Sequence, residues 1–408
     1  MEPHPPQPQQ LSFSTPSSRI CIISILLDLP AKSLLRFKCV SKAWHRLISH
    51  PKFQETHYAR RASVPRFFFR FSDFDYDQFS GTVRQRFAIL NSAGVPLDVL
   101  RVNAFGGPIK LVLLSSRGLL CFATETCVYL CNPATRSLIQ LPPPHGVDRQ
   151  GNPLTISGFG FGYMESAGEY KVARVVHRPW LGDHSPCKLE CSVFTYSVSA
   201  QPPAAAAAAT NDWKLLADTC PYFVTQVGLP VFARGTESIY WKIVQNQHCL
   251  CHSTAQARPD VFLACLDVKK ERFGVVRWPQ GLRRPSPSVG DWREAGSVGK
   301  LSMIETPEDL PLRLVVWLLT DQENSHWVRQ AVVSLPLFDD GTILGEIKEY
   351  RRSDLIIYSS PDNVIIFINP ENGTFRKVRI PANLHSLDFC TYTENLLTLQ
   401  LPPNQGGN

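Results

Sequence analysis

The chain has 408 residues, of which 44% are hydrophobic and 19% are charged. This composition is typical of a folded globular protein and excludes a largely disordered one. The formal net charge of +7 is small for this length and is not gathered into one run of Lys and Arg, so we expect no nucleic-acid partner. The sequence has no apolar run near the roughly 18 residues of a membrane helix, so we expect no membrane segment.

Disulfides are one way to interpret the 12 cysteines. Residues 1–10 are rich in Pro and Gln and lack the charged start and apolar core of a secretory signal. Several cysteines stand in apolar stretches, among them Cys21, Cys39, Cys121, Cys265 and Cys390. We therefore expect buried free thiols and a cytoplasmic or nuclear protein, with residues 1–16 forming a disordered tail.

A helical pattern follows between Pro30 and Pro51. Its apolar side chains recur at steps of three and four, which is the period of one helix face; they are Leu34, Leu35, Phe37, Val40, Trp44, Leu47 and Ile48. Ser41 is a suitable N-cap that divides the stretch in two, and the apolar run at 20–27 predicts a further helix. Three short helices cannot bury this much apolar surface alone, so we expect a partner, either elsewhere in this chain or in another protein, to cover the excess.

Residues 29–53, LPAKSLLRFKCVSKAWHRLISHPKF, resemble the second half of an F-box as found in large plant families. The first half differs, because Ser17-Ser18-Arg19-Ile20-Cys21 stands where Leu-Pro-x-Asp-Leu is usual. The resemblance implies a three-helix module over 17–60 that binds a Skp-like adaptor and, through it, a cullin. With the apolar stripe, it points to these adaptor-binding residues: Leu29, Pro30, Leu34, Leu35, Val40, Trp44, Leu47 and Ile48.

From about residue 66 the sequence changes to short strands separated by Gly, Pro, Asn and Asp, and the run at 112–121 is predicted to be one of these strands. A hairpin pattern occurs three times: a strand, then Asn132, Asp267 or Asn369, then a polar turn and a second strand. In the third copy, Asn372-Gly373 predicts a two-residue turn. Such recurrence favours an antiparallel β-propeller-like domain, while two packed sheets of a β-sandwich stay open as an alternative. The number of blades cannot be read from the pattern.

The same region, from about 110 to 380, resembles the F-box-associated domain that often follows the F-box in plant proteins. The resemblance is carried by LSSRGLLCF from 114, VYLCNPATRSLIQLP from 128 and GFGFGYMESAGEYKVARVV from 158. The expected organisation is a tail at 1–16, the F-box at 17–60, a connecting segment with the first strands at 61–110, the β domain at 111–400 and a flexible tail at 401–408. The fold class is therefore mainly β with a small N-terminal α module.

Two clusters raise the question of bound ligands. The glycine-rich segment at 158–162 alternates like a strand and lacks the spacing of a phosphate-binding loop. His248, Cys249, Cys251 and His252 have no second pair at zinc-site spacing. We find no hydrolase, metalloprotease or P-loop motif, and we expect no metal, no cofactor and no catalytic residue.

The resemblance implies a non-catalytic, substrate-recognition subunit of an SCF-type ubiquitin ligase that holds an unknown target protein with its β domain. The alternative is a ligase-independent, β-propeller-like binding scaffold with a degenerate F-box. Long irregular loops often bind partners, so the candidate target-binding segments are 180–186, 245–259 and 283–299.

Overall fold

The computed structural model describes residues 16–62, 64, 66–71, 85–102, 114–123, 127–142, 156–177, 189–197, 213–218, 220, 224, 230–243, 261–280, 291–295, 299–305, 313–335, 346–350, 354–359, 362–381 and 386–400. Within them the chain begins with helices α1 (Pro16–Asp28), α2 (Ala31–Phe37), α3 (Lys42–Ser49) and α4 (Pro51–Arg61). None of these helices is long and apolar enough to cross a membrane.

Local capping explains where two of these helices begin. Ser41 is the N-cap of α3, as the sequence predicts, and its Oγ accepts a hydrogen bond from Trp44 N at 3.2 Å. Pro51, which we expected to end the helical stretch, instead begins α4, because a proline at the first helical position loses no hydrogen bond. His50 precedes it, and its Nδ1 accepts from Lys52 N at 3.3 Å. The described module therefore has four helices, one more than predicted.

The described strands form six blades of four antiparallel strands, two of which are joined into one eight-stranded sheet by a single parallel bridge between Ala295 and Tyr350. From the innermost strand outward the blades are as follows. Blade 1 contains β24 (Ser386–Tyr392), β1 (Arg66–Phe71), β2 (Gln85–Leu90) and β3 (Pro96–Val102). Blade 2 contains β4 (Leu114–Ser116), β5 (Leu119–Ala123), β6 (Val128–Asn132) and β7 (Ser137–Gln140). Blade 3 contains β8 (Ile156–Met164), β9 (Glu169–His177), β10 (Leu189–Ser197) and β11 (Lys214–Leu215).

The remaining blades continue in chain order. Blade 4 contains β12 (Val231–Ala233), β13 (Ser238–Lys242), β14 (Val261–Asp267) and β15 (Arg272–Arg277). Blade 5 contains β16 (Asp291–Ala295), β17 (Lys300–Glu305), β18 (Arg313–Asp321) and β19 (His326–Ser334). Blade 6 contains β20 (Glu346–Tyr350), β21 (Leu355–Ser359), β22 (Val364–Ile368) and β23 (Phe375–Arg379).

The blades close into a ring. Each innermost strand contacts the innermost strand of the next blade, and β24 lies between β20 and β4. Because β24 also pairs along its length with β1, the last strand of the chain completes the blade that the first strands begin. The fold class, a small α module and a β-propeller, is thus confirmed, and the β-sandwich alternative is excluded.

The outer hairpins of blades 2, 4 and 6 are the three predicted repeats. Asn132, Asp267 and Asn369 each accept a hydrogen bond from a backbone N–H two residues later through their side-chain Oδ1. Four residues after each of them the backbone adopts a positive φ. The Asn372-Gly373 prediction is wrong in detail, because Asn369 N donates to Thr374 O at 2.8 Å and the turn therefore has four residues between them.

The glycine-rich segment at 158–162 lies in β8 and separates blades 2 and 4. Phe159 and Phe161 point toward blade 2. The alternating glycines lie on the other face, where a Cβ at Gly160 would be 2.5 Å from Ile239 and one at Gly162 would be 2.0 Å from Phe232 of blade 4. The glycines therefore allow close packing between blades, and the segment is a strand rather than a phosphate-binding loop.

Two further predictions need correction. The run at 112–121 was predicted as one strand, but a turn at Arg117 and Gly118, both with positive φ, divides it into β4 and β5. Cys21 and Cys39, which we expected to be buried thiols, are exposed. Both lie on the helical module, where short helices leave one face of each uncovered.

Candidate functional site

The helical module divides the predicted adaptor-binding residues into two groups. Leu34 and Ile48 are fully buried in a cluster with Leu26 and Phe53, so they form the module's core. Leu29, Leu35, Trp44 and Leu47 are half-buried around this core, and Pro30 and Val40 are exposed. The structure therefore separates residues that stabilise the module from residues that are free to contact another protein.

The exposed apolar surface centres on the connection between α2 and α3. Val40 is 67% exposed there, and the indole ring of Trp44 packs edge-on against Phe37 with 5.3 Å between ring centroids. Ile25 on α1 is also 62% exposed, although the sequence analysis did not single it out. The sequence contains a signal for this, because residues 20–27 of α1 are apolar apart from Ser24, and a helix that packs on one side leaves some of them on the other.

Cationic side chains border this surface. Lys38, Cys39, Ser41, Lys42, His45 and Arg46 line an open depression of about 480 Å³. Partial burial lowers the pKa of Lys38 below its usual value. An apolar centre with a positive rim suits a protein partner that offers apolar pockets surrounded by acidic side chains.

The module rests on one end of the propeller, which we call the helix face and define by the turn residues Gly118, Ala134 and Gly168. Arg117 lies between the rings of Tyr58 from α4 and Tyr163 from β8, at 5.3 and 4.3 Å from their centroids. It also pairs with Glu55 of α4 and, at 3.3 Å, with Glu165 of blade 3. On another side of the module, Lys32 pairs with Asp98 of β3 at 3.4 Å.

The strands within each blade are antiparallel, so successive connections lie at alternating ends of the propeller. Turns between the first and second strands, such as Arg117-Gly118, lie on the helix face. The chain between the second and third strands must therefore leave from the opposite end, as it does after β9 and β13. The candidate segments 180–186 and 245–259 follow these two strands and themselves lie outside the described residues, as does most of 283–299.

The possible zinc ligands at 248–252 also fall outside the described part of the chain. Within that part, no group of three or more His, Cys, Asp or Glu side chains comes together in a way that could hold a metal ion.

Comparison with known sequences gives a consistent result for both parts of the chain. The F-box domain pattern matches residues 19–56, and the pattern of the F-box associated beta propeller domain matches residues 108–398. The F-box/LRR-repeat protein At2g43260 of Arabidopsis thaliana is 24% identical, over 93% of this chain and 82% of its own length. F-box protein CPR1 from the same plant is 26% identical, over 63% of this chain and 59% of its own length.

Solved structures add little to this. A protein of unknown function from Bacteroides caccae covers 81% of this chain and 99% of its own length, with 9% identity and a TM-score of 0.42. This similarity is too low to support a conclusion. The propeller-domain match, in contrast, spans well over half of the chain: it begins shortly before β4 and ends beyond β24, and it leaves out only β1, β2 and β3 of the described strands. The chain therefore belongs to the F-box proteins that carry an F-box associated β-propeller domain.

Proposed function

We propose that this protein is the substrate-recognition subunit of an SCF-type ubiquitin ligase. Its F-box module binds a Skp-like adaptor, which links it to a cullin, and its propeller holds a target protein. The observation that carries the proposal is the exposure of two large apolar side chains, Val40 and Ile25, on a module whose core is buried. An exposed apolar centre bordered by charge is typical of a docking surface between proteins.

The receptor itself does no covalent chemistry in this proposal. It holds a target lysine close to a ubiquitin-charged enzyme and so converts a rare encounter into a tethered one, which raises the effective concentration of the lysine. The placement of the module supports this division of labour. Because the described helices lie on the helix face, an adaptor bound to them would lie at the other end of the propeller from the candidate target-binding segments.

Val40→Asp tests the docking surface without entering the core. We expect the dissociation constant for purified adaptor to rise by about ten-fold or more, because a charge would replace an apolar contact at the centre of the interface. Isothermal titration calorimetry with full-length protein measures this directly. Val332→Asp is the matched control, since Val332 is 45% exposed on β19, the outermost strand of blade 5, and should leave binding unchanged.

The outcomes separate the two functions that the sequence left open. Unchanged affinity of the Val40→Asp variant would show that the docking surface is elsewhere. Absence of any complex between the unmodified protein and the adaptor at micromolar concentration would favour the ligase-independent binding scaffold instead.

A further inference from the structure

The last described residues of the chain contact both the helical module and the propeller. After β24 the chain continues as residues 393–400, which we call the C-terminal segment. Its Leu396 is 1% exposed and packs in the core of the helical module with Leu34, Ile48 and Phe53. The hydrophobic core of the F-box thus includes a side chain from the far end of the sequence.

The C-terminal segment also caps a helix of the module. Pro30 precedes α2 and offers no side-chain hydrogen bond to its free N–H groups. Ala31 N, the first of these donors, instead donates to Oε2 of Glu394 at 3.2 Å. The buried Glu394 carboxylate also pairs with Arg66 and, at 3.3 Å, with Arg61. An anion at this position satisfies an unpaired donor and interacts favourably with the helix dipole.

The same segment is fixed to blades 2 and 3 on its other side. Asn395 Nδ2 donates to Arg117 O at 2.8 Å, and Asn132 Nδ2 donates to Leu397 O at 2.6 Å. Leu399 N donates to Ser137 Oγ at 3.1 Å, and its buried side chain belongs to the core between these blades. The segment therefore joins the helices to the propeller through buried contacts on both sides.

This arrangement couples two events in folding. In the closed ring β24 pairs with β1 and lies between β20 and β4, and it leads directly into the segment, so the position of β24 determines where the segment meets the helices. We infer that the F-box core is completed only on a chain whose propeller ring has closed. If the protein is an adaptor-binding receptor, as proposed above, then a chain with an unclosed propeller presents an incomplete docking module and is recruited poorly.

Hydrogen exchange of full-length variants tests this coupling. We expect Leu396→Ala to raise the exchange rates of amides in α2, α3 and α4 by about ten-fold or more, since it removes a core side chain from the module. Leu399→Ala is the matched control, with the same substitution three residues further along the same segment. It should raise exchange in blades 2 and 3 and leave the helical amides near their original rates. Adaptor affinity should fall for the first variant only.

The hydrogen-exchange rates test this inference independently of the proposed function. Unchanged protection of the helices in the Leu396→Ala variant would overturn it. Equal loss of helical protection in both variants would overturn it as well, because the helices would then follow general stability rather than this contact. If the unmodified protein does not bind adaptor, the proposed function fails, while the exchange rates still report on the coupling.

Discussion

At the scale of single residues, the junction between the module and the propeller depends on a few buried polar groups. His57 on α4 is fully buried, and its Nε2 lies 2.9 Å from the carbonyl oxygen of Leu29. This contact requires a proton on Nε2, and Nδ1 has no hydrogen-bond partner among the described residues. Burial lowers the pKa of His57, although the hydrogen bond to Leu29 and the nearby Glu394 carboxylate oppose this in part. The imidazole is therefore neutral in the folded protein near neutral pH.

This gives a pH dependence with a definite sign. Because the folded protein binds the proton on His57 less readily than the unfolded chain does, stability is full above the ordinary pKa near 6.5 and falls as the pH drops below it. We expect the free energy of unfolding to decrease between pH 7.5 and 5.5. His57→Gln, which keeps a donor for Leu29 O but does not titrate, should lose less over the same interval.

Urea titrations of both proteins at the two pH values measure the difference. Other groups titrate alike in both proteins and therefore cancel in the comparison. An equal loss of stability in the two proteins would contradict the assignment of a buried neutral imidazole to His57.

At the scale of elements, the local signals in the sequence were most reliable for the hairpins. The side-chain oxygens of Asn132, Asp267 and Asn369 organise their own turns, so each hairpin is encoded within a few residues. Blade 5 contains a further hairpin of this kind that the sequence analysis did not predict. Its Asp321 accepts a hydrogen bond from Asn324 N, and Ser325 has a positive φ. The strands β11 and β12 have only two and three residues, and runs of that length carry too little periodicity to be predicted.

The close approach of blades 3 and 4 along β8 leads to a prediction for its glycines. Gly162→Ala would place a Cβ within 2.0 Å of the buried ring of Phe232. We expect it to lower the free energy of unfolding by about 2 kcal/mol, since overpacking forces neighbouring side chains or strands apart. Gly274→Ala is the matched control in β15, where the nearest atom, Cys265 Sγ, is 3.1 Å away and the strain is smaller. Denaturant unfolding compares the two, and an equal effect would argue against close packing at β8.

At the scale of the whole molecule, the pairing of the last strand with the first ones closes the ring. Phe389 of β24 is buried, and its ring centroid lies 4.7 Å from that of Phe69 and 5.3 Å from that of Phe67 in β1. Tyr358 of blade 6 packs on the same ring at 5.5 Å. The closing strand is therefore held by an aromatic cluster that spans blades 1 and 6.

Phe389→Ala should weaken this closure. We expect a loss of roughly 3–5 kcal/mol in the free energy of unfolding, as is usual when a buried phenylalanine is truncated. Phe375→Ala, at an exposed position of β23, should change stability by only about 0.5 kcal/mol. Equilibrium unfolding followed by tryptophan fluorescence distinguishes them, and a similar small loss for both would show that the aromatic cluster does not hold the ring together.

The amino-acid sequence by itself determined the individual helices and hairpins of this protein. The period of the apolar residues, the cap at Ser41 and the Asx turns act over a few residues, so they specify helices and hairpins wherever these lie in the fold. The tertiary structure alone decided how many blades close the ring, which apolar side chains of the module face outward, and that Glu394 caps a helix 363 residues earlier in the chain. Contacts of that kind leave no periodic trace in the sequence, because they depend on the closed ring bringing the two ends of the chain together.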